Sequence, residues 1–296
     1  MRNEYDKVGE YLSKVIDVYR FLAAPRDLLI QLDLPLLPDM DRATRARLQQ
    51  MNVELYWRMR REFGTQLVLV LHGWSREDWD KQLECVQSAR VVAVGSFFGM
   101  IAPPAIARSA RASTLDPKLV AERLVEVTRF LHRHASARLM LLGAGSPKDI
   151  YVAAALGYDY ADSSSWRVAA TLGEIYDPET LDRLKVVELA RSCVLREKMR
   201  RAYEVIEGEL GVPWSFDEWL GMAVLRSVEG YVARAWFNAM ITKLVEREVR
   251  DASWREIVAK MLWLYERSPR WSVVAKMVAR YAGHQGFGRA LPKLRF

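Results

Sequence analysis

The sequence predicts a mixed α/β protein with a parallel sheet in its first part and a helical second part. Short apolar runs of strand length recur between about residues 28 and 161, and charged segments with helical periodicity separate them. After about residue 178 the strand pattern fades. Parallel neighbours need a crossover connection, usually a helix, so this alternation is typical of parallel α/β architecture. A doubly wound sheet and a barrel both accommodate five such units, and periodicity does not choose between them.

The first part begins with an amphipathic helix over residues 4–22, which Pro25 ends. Five runs are predicted strands: Leu28–Leu32, Leu67–Leu71, Val91–Val94, Leu139–Leu142 and the weaker Tyr158–Ala161. The predicted helices between them are Arg42–Phe63, Arg76–Gln87, Pro117–Arg133 and Pro147–Leu156. Ser146 and Pro147 suit the N-cap and the first position of the last of these helices.

The second part is predicted to be helical and rich in tryptophan. Its helices are expected at Glu179–Gly208, Ser215–Arg250, Ser253–Arg267 and Trp271–Ala282, with glycine and proline between them. We therefore divide the chain into an α/β domain of residues 1–190, which includes the N-terminal helix, and a helical, basic region of residues 191–296.

The composition is that of a soluble globular protein, with 51% hydrophobic and 27% charged residues. No apolar span reaches the roughly 18 residues of a membrane helix, and the charged N-terminus lacks the apolar core of a signal peptide. We therefore expect a cytoplasmic protein. Its two cysteines, Cys85 and Cys193, form neither a disulfide framework nor a zinc site by themselves. We expect no cofactor and no metal.

The positive charge is concentrated at the C-terminal end. Residues 253–296 contain nine Lys and Arg but two acids, whereas the remainder of the chain has 35 of each sign. Either this segment binds a polyanion, or it is a solvated basic helix with a disordered end. The candidate nucleic-acid contacts are Arg267, Arg270, Lys276, Arg280, Arg289 and Lys293, with Trp271, Tyr281 and Phe287 as candidate stacking surfaces.

Polar residues and glycines follow the predicted strands, where parallel α/β folds bind ligands. They are Asp33, His72, the Gly95–Gly99 loop, the loop from Gly143 to Ser146, and Asp162. Each also has a purely structural interpretation. Asp33 and Asp162 could cap turns, His72 could be a satisfied core histidine, and the GAGSP loop could be an ordinary strand-to-helix turn.

In this order, the segments over about residues 28–193 resemble the core of the tRNA-guanine transglycosylase superfamily. The quoted segments are LIQLDLP, VLVLHGWSREDWDKQ, VVAVGSFFG and LMLLGAGSPKDIYVAAALGYDYADSSSW. The last is the closest match, and its Asp162-Ser163 pair is similar to the archaeal and DNA-modifying branches. Each motif is weak alone, but their common order is moderately specific.

The resemblance implies a TIM-type (β/α)8 barrel that exchanges guanine for a 7-deazaguanine in DNA or tRNA. It implies that Asp162 is the nucleophile that attacks the sugar C1′, and that Asp33 accepts hydrogen bonds from the base. His72 stands where the family usually has Gln. The remaining residues implied to contact the base are Gly95, Ser96, Phe97, Leu142 and Gly143.

Several family features are missing. The segment that supplies a second catalytic aspartate is absent, and one helix replaces the two strands expected before LIQLDLP. The zinc motif is reduced to Cys193, with Arg196–Lys198 at the next positions and Phe237 in place of the histidine. We expect the tryptophan-rich core to replace the zinc as a structural support.

Three functions therefore stay open. The chain is a transglycosylase, alone or completed by a partner subunit or a second copy; or it is a non-catalytic nucleic-acid-binding or regulatory subunit. An unrelated enzyme acting on a phosphorylated small molecule agrees least with the ordered motifs.

Overall fold

The computed structural model describes residues 7–34, 36, 40–73, 75–94, 116–143, 146–162, 165–267 and 271–284. The chain forms two compact units. The first comprises Met1–Leu142 with Tyr158–Tyr160, and the second comprises Gly143–Gly157 with Ala161–Phe296. Among the described residues, no helix combines the length and apolar character that crossing a bilayer requires.

The first unit alternates strands and helices as the sequence predicts. Its elements are α1 (Val8–Leu22), β1 (Leu29–Ile30), α2 (Arg42–Phe63), a 3-10 turn (Gly64–Gln66), β2 (Leu67–Leu71), α3 (Arg76–Asp80), α4 (Leu83–Ser88), β3 (Val91–Val94), α5 (Pro117–His134) and β4 (Arg138–Leu141). The single helix predicted over 76–87 is two short helices, because the chain turns at Lys81 and Gln82.

The strands form one sheet in the order β1-β2-β3-β4-β5, where β5 is Tyr160–Ala161. The registers of β1 to β4 are parallel, and the sheet is curled like half of a barrel wall. Among the described strands, this sequential order has no point at which the strand order reverses. A doubly wound sheet has such a point, so the described sheet does not have that topology.

The two central strands are apolar at every position because both of their faces are covered. All residues of β2 and β3 are buried. On one face Val68, Val91 and Ala93 form a core, around which partly buried residues of the other strands pack: Leu28, Ile30, Met140, Leu142 and Tyr160. Continuous apolar runs are typical of such strands, which is why the sequence predicted their bounds correctly.

Helix α1 covers the outer edge of the sheet. The Tyr19 hydroxyl donates to the Ile30 carbonyl at 2.8 Å. Because Gln31 N–H donates to Val68 on β2, the parallel ladder leaves the polar groups of Ile30 on the opposite edge. An unpaired carbonyl at a sheet edge can recruit another strand, and a covering side chain prevents this.

The second unit is mainly helical. Its elements are α6 (Pro147–Ala155), α7 (Ser165–Thr171), β6 (Glu174–Tyr176), β7 (Arg183–Lys185), α8 (Val186–Arg191), α9 (Cys193–Leu210), α10 (Phe216–Ala223), α11 (Val228–Asp251), α12 (Trp254–Glu266) and α13 (Ser272–His284). As predicted, Ser146 begins α6 in a capping box with Asp149, and Pro147 follows it.

The helix predicted over Glu179–Gly208 is wrong in its first part. There β6 and β7 form an antiparallel hairpin, followed by the short helix α8 and then α9. The hairpin loop is stabilised by Asp177, whose Oδ1 accepts from the backbone N–H groups of Glu179 and Thr180. Local capping of this kind competes with helix formation.

The core of the second unit contains a cluster of aromatic rings. Trp219 lies 4.6 Å from Phe237 and 5.5 Å from Tyr203, measured between ring centroids. Phe216 and Trp236 also pack on Tyr203. Trp219 and Phe237 are fully buried, so the tryptophan-rich core expected from the sequence is present.

The units do not divide the chain at residue 190 as we assumed from the sequence. Helix α6 belongs to the second unit because its contacts lie there. Tyr265 on α12 donates to the Asp149 carboxylate at 2.5 Å, and the Trp254 indole donates to the Ala155 carbonyl at 3.4 Å.

Candidate functional site

A carboxylate and an imidazole meet just beyond the first two strands of the sheet. The Asp33 Oδ2 atom lies 3.0 Å from His72 Nε2. The Asp33 side chain is 35% exposed, whereas the His72 side chain is buried. Nε2 makes no hydrogen bond of good geometry among the described residues. Its contact with Asp33 is an ion pair when the ring is protonated. His72 is therefore not a fully satisfied core histidine.

Two buried amides fix the segment that carries Asp33. Gln31 accepts from Val70 N–H on β2 at 3.2 Å and donates to the Asn52 carbonyl on α2 at 2.8 Å. The Asn52 side chain in turn binds both backbone groups of Leu34, at 2.7 and 2.8 Å. A side chain held by buried neighbours is preorganised for binding. No pattern in the sequence marks these amides as part of the site, because only the folded chain brings them to the strand end.

A third buried amide fixes His72. Gln82 donates to the His72 carbonyl at 2.6 Å and accepts from its backbone N–H at 3.4 Å. The following residue, Gly73, has φ +126°, and a Cβ there would lie 2.3 Å from the Cβ of Asp78. Gly73 thus allows α3 to approach the end of β2 closely.

Tyr19 lies near the Asp33 carboxylate. Burial raises the pKa of Tyr19, and the negative charge of Asp33 raises it further. Both effects favour a neutral phenol that remains a donor to the sheet edge.

Asp162 directly follows β5 in the second unit. Its side chain is exposed to solvent, yet the protein around it provides enough desolvation to raise its pKa. A carboxylate that is both accessible and poorly solvated has the properties of a nucleophile or an acid/base group.

The other residues of the predicted base site differ in burial, and some lie outside the described residues. Leu142 is half-buried beside the sheet core, and its N–H donates to Val94 at 3.2 Å. Gly143 is exposed, with φ +68°. Gly95, Ser96 and Phe97 lie outside the described residues.

One of the sequence positions at which the resemblance implies the zinc motif, Lys198, takes part in an ion pair. Lys198 Nζ lies 2.8 Å from Asp177 and 2.9 Å from Glu179, which joins α9 to the hairpin. Cys193 is an exposed free thiol, and Cys85 is a buried one whose pKa is raised by burial to about 12. Within the described ranges, no three His, Cys, Asp or Glu side chains gather as metal ligands do.

The predicted nucleic-acid contacts within the described residues are exposed. They are Arg267, Lys276 and Arg280; Arg270, Arg289 and Lys293 lie outside those residues, as does Phe287. Tyr281 was wrongly predicted as a stacking surface, because it is buried on the packed side of α13. On α12, Trp263 has two cations beside it, Lys260 and Arg267, and no pattern in the sequence marks this group.

No protein-family model matches this chain, and no curated protein matches it.

Proposed function

We propose that this protein is a base-exchange transglycosylase that replaces guanine with a 7-deazaguanine in a nucleic acid. The Asp33–His72 pair is the observation that carries the proposal. It joins a half-exposed acceptor to a buried imidazole just beyond the strand ends, where ligands bind in barrels of parallel strands. The ordered motifs of the sequence and the accessible Asp162 agree with the same chemistry.

The sheet agrees with a TIM-type (β/α)8 barrel that is incomplete at its N-terminal edge, where α1 covers β1. Its five strands follow one another in chain order and the sheet curls. Right-handed crossovers between sequential parallel strands put all connecting helices on one face, and the curl leaves the other face inside.

Asp33 and His72 suit recognition of a purine-like base. A carboxylate accepts hydrogen bonds from adjacent N–H groups, such as the ring and exocyclic N–H of a guanine. A neutral imidazole offers one donor and one acceptor, and its tautomer decides which ring nitrogen plays which part. Because buried amides hold the backbone of His72 and that of Leu34 next to Asp33, the base would meet a site that needs little reorganisation.

Asp162 is proposed to perform the exchange in two displacements. Its carboxylate oxygen forms a bond to C1′ while the bond from C1′ to the guanine nitrogen breaks, and the departing base takes a proton from water. The incoming 7-deazaguanine then loses its N–H proton to water and bonds to C1′, which releases the carboxylate. The carboxylate also stabilises the positive charge that develops on the sugar.

The test is incorporation of labelled guanine into tRNA or DNA by the purified full chain. We expect Asp162→Asn to reduce exchange about 10³-fold or more and to abolish a denaturation-stable protein–nucleic acid adduct. Asp217→Asn, an exposed carboxylate of the same unit, is the control and should retain wild-type exchange. The nucleophile must be ionised, and desolvation by the surrounding protein raises the pKa of Asp162. On acidification, wild-type exchange should therefore be lost at a higher pH than the ordinary pKa of an aspartate would give. Exchange that survives Asp162→Asn would reject the proposal.

A further inference from the structure

We propose that the outer face of α12 and α13 is a docking surface for a nucleic-acid backbone, formed by Lys276, Arg280 and the Lys260–Trp263–Arg267 group. The choice of nucleic acid as the polyanion rests on the proposed function. The charge and shape of the surface do not depend on that function.

Helix α13 presents uncompensated positive charge. Lys276 and Arg280 are one helical turn apart and both are exposed. The helix contains no Asp or Glu, and no carboxylate within the described ranges pairs with either cation. Like charges four residues apart destabilise a helix. A polyanion that neutralises both removes this cost.

Helix α12 adds an aromatic ring with two cations beside it. The Arg267 guanidinium lies 4.8 Å and the Lys260 ammonium 5.0 Å from the Trp263 ring centroid. Trp263 is half-buried, so part of its ring remains accessible. Of the two acids of this helix, Glu256 is engaged by the N-cap residue Ser253, and Glu266 is exposed next to Arg267. Lys260 also lies 3.9 Å from Glu248 on α11, so the charge without a carboxylate partner is mainly that of α13. An aromatic ring flanked by cations suits a base stacked beside its phosphate.

The surface fits a nucleic acid better than an anionic membrane. A helix that binds at a membrane interface presents an apolar face to the lipid. The apolar residues of α13 that would form such a face are buried in the protein: Val274, Ala275, Val278, Tyr281 and Ala282. Of the large apolar residues of α13, Val273 is exposed, so the exposed side offers charge with little apolar surface to insert.

The test measures binding of a fluorescent oligonucleotide to the full chain over a series of salt concentrations. We expect Lys276→Glu with Arg280→Glu to weaken binding about tenfold or more and to lower the salt-dependence slope by about 2, because two phosphate contacts are lost. We expect Trp263→Leu, which fills the buried part of the site, to weaken binding of single strands about fivefold or more. Thermal unfolding checks that each variant is folded.

The matched control reverses two other exposed cations, Arg58→Glu with Arg61→Glu on α2, which changes the net charge equally. We expect it to alter binding less than threefold. Equal losses in both double variants, or no loss in the α13 variant, would overturn the proposal. So would an α13 variant that loses binding to phosphatidylserine vesicles but keeps oligonucleotide binding.

The two proposals can fail separately. If the wild-type protein shows no exchange activity but the α13 variant loses oligonucleotide binding and the control does not, this surface is supported and the proposed function is rejected. If the wild-type protein is active but the α13 variant binds oligonucleotide normally, the proposed function is supported and this surface is rejected.

Discussion

Gly73 shows how one residue without a side chain positions the candidate site. It follows His72 directly and adopts φ +126°, and its missing Cβ leaves room for Asp78. Asp78 is itself buried and completes the capping box that begins α3 with Ser75. The backbone of His72 and the start of α3 are thus held at a separation that only glycine permits.

We predict that Gly73→Ala destabilises the protein by about 3 kcal/mol or more, because backbone strain and a steric clash add. Gly173→Ala is the matched control, since Gly173 also has positive φ but would meet nothing within 4 Å. Strain alone should cost it about 1 kcal/mol. Urea unfolding monitored by circular dichroism measures both values, and equal losses would show that the close approach to Asp78 does not matter.

The hairpin β6–β7 is attached to its neighbours by polar side chains. Asp177 accepts from two backbone N–H groups of the hairpin loop and pairs with Lys198 on α9. On α11, the buried Asn238 accepts from Tyr176 N–H and donates to the Glu174 carbonyl. One turn earlier, the Arg234 guanidinium binds the carbonyls of Ala170, Ala223 and Leu225. These contacts join the hairpin to α9 and α11, and α7 to α11.

We predict that Asp177→Asn destabilises the protein by about 1.5–3 kcal/mol, the usual range for hydrogen bonds to a charged group. Burial acts to raise the pKa of Asp177, but Lys198 and the two backbone donors lower it below the ordinary value. Its stabilisation is therefore present above about pH 4 and is lost as the pH falls through the lowered pKa. Glu179→Gln removes an exposed partner of the same lysine and should destabilise the protein less than Asp177→Asn does, because solvent screens an exposed ion pair. Unfolding free energies at pH 7 and pH 3 test this, and a difference between Asp177→Asn and wild type that is as large at pH 3 as at pH 7 would contradict it.

At the scale of the whole molecule, helix α6 lies between β4 and β5 along the chain but belongs to the core of the second unit. Helix α6 follows β4 along the chain, yet Ile150, Tyr151 and Val152 on this helix are buried in the second unit. The second unit therefore needs two separate stretches of chain. No single cut at residue 190 separates two complete cores.

We predict that a fragment of residues 1–190 does not fold cooperatively, because α6 would lose α11, α12 and α13 as packing partners. Its buried side chains would then be exposed to water, as in compact states without fixed packing. Thermal unfolding and dye binding, compared with the full chain under the same conditions, measure this. A sharp transition with native-like spectra in the fragment would show that the division at residue 190 is adequate.

Some elements could be predicted from the sequence and others could not, and the difference has physical causes. The bounds of β2 and β3 were predicted correctly because strands buried on both faces are continuously apolar. Strands β1 and β5 are two residues each, so little periodicity marks them. The helix predicted from Glu179 covers the hairpin loop and β7, because the contacts of Asp177 are local hydrogen bonds that apolar periodicity does not report.

The sequence alone determined the alternation of strands and helices, the start of α6 and the concentration of charge at the C-terminal end, since each depends on neighbouring residues. Only the tertiary structure decided the strand order, the pairing of Asp33 with His72, and the burial of Tyr281. These depend on contacts between residues distant in the chain, and such contacts leave no periodic trace along it.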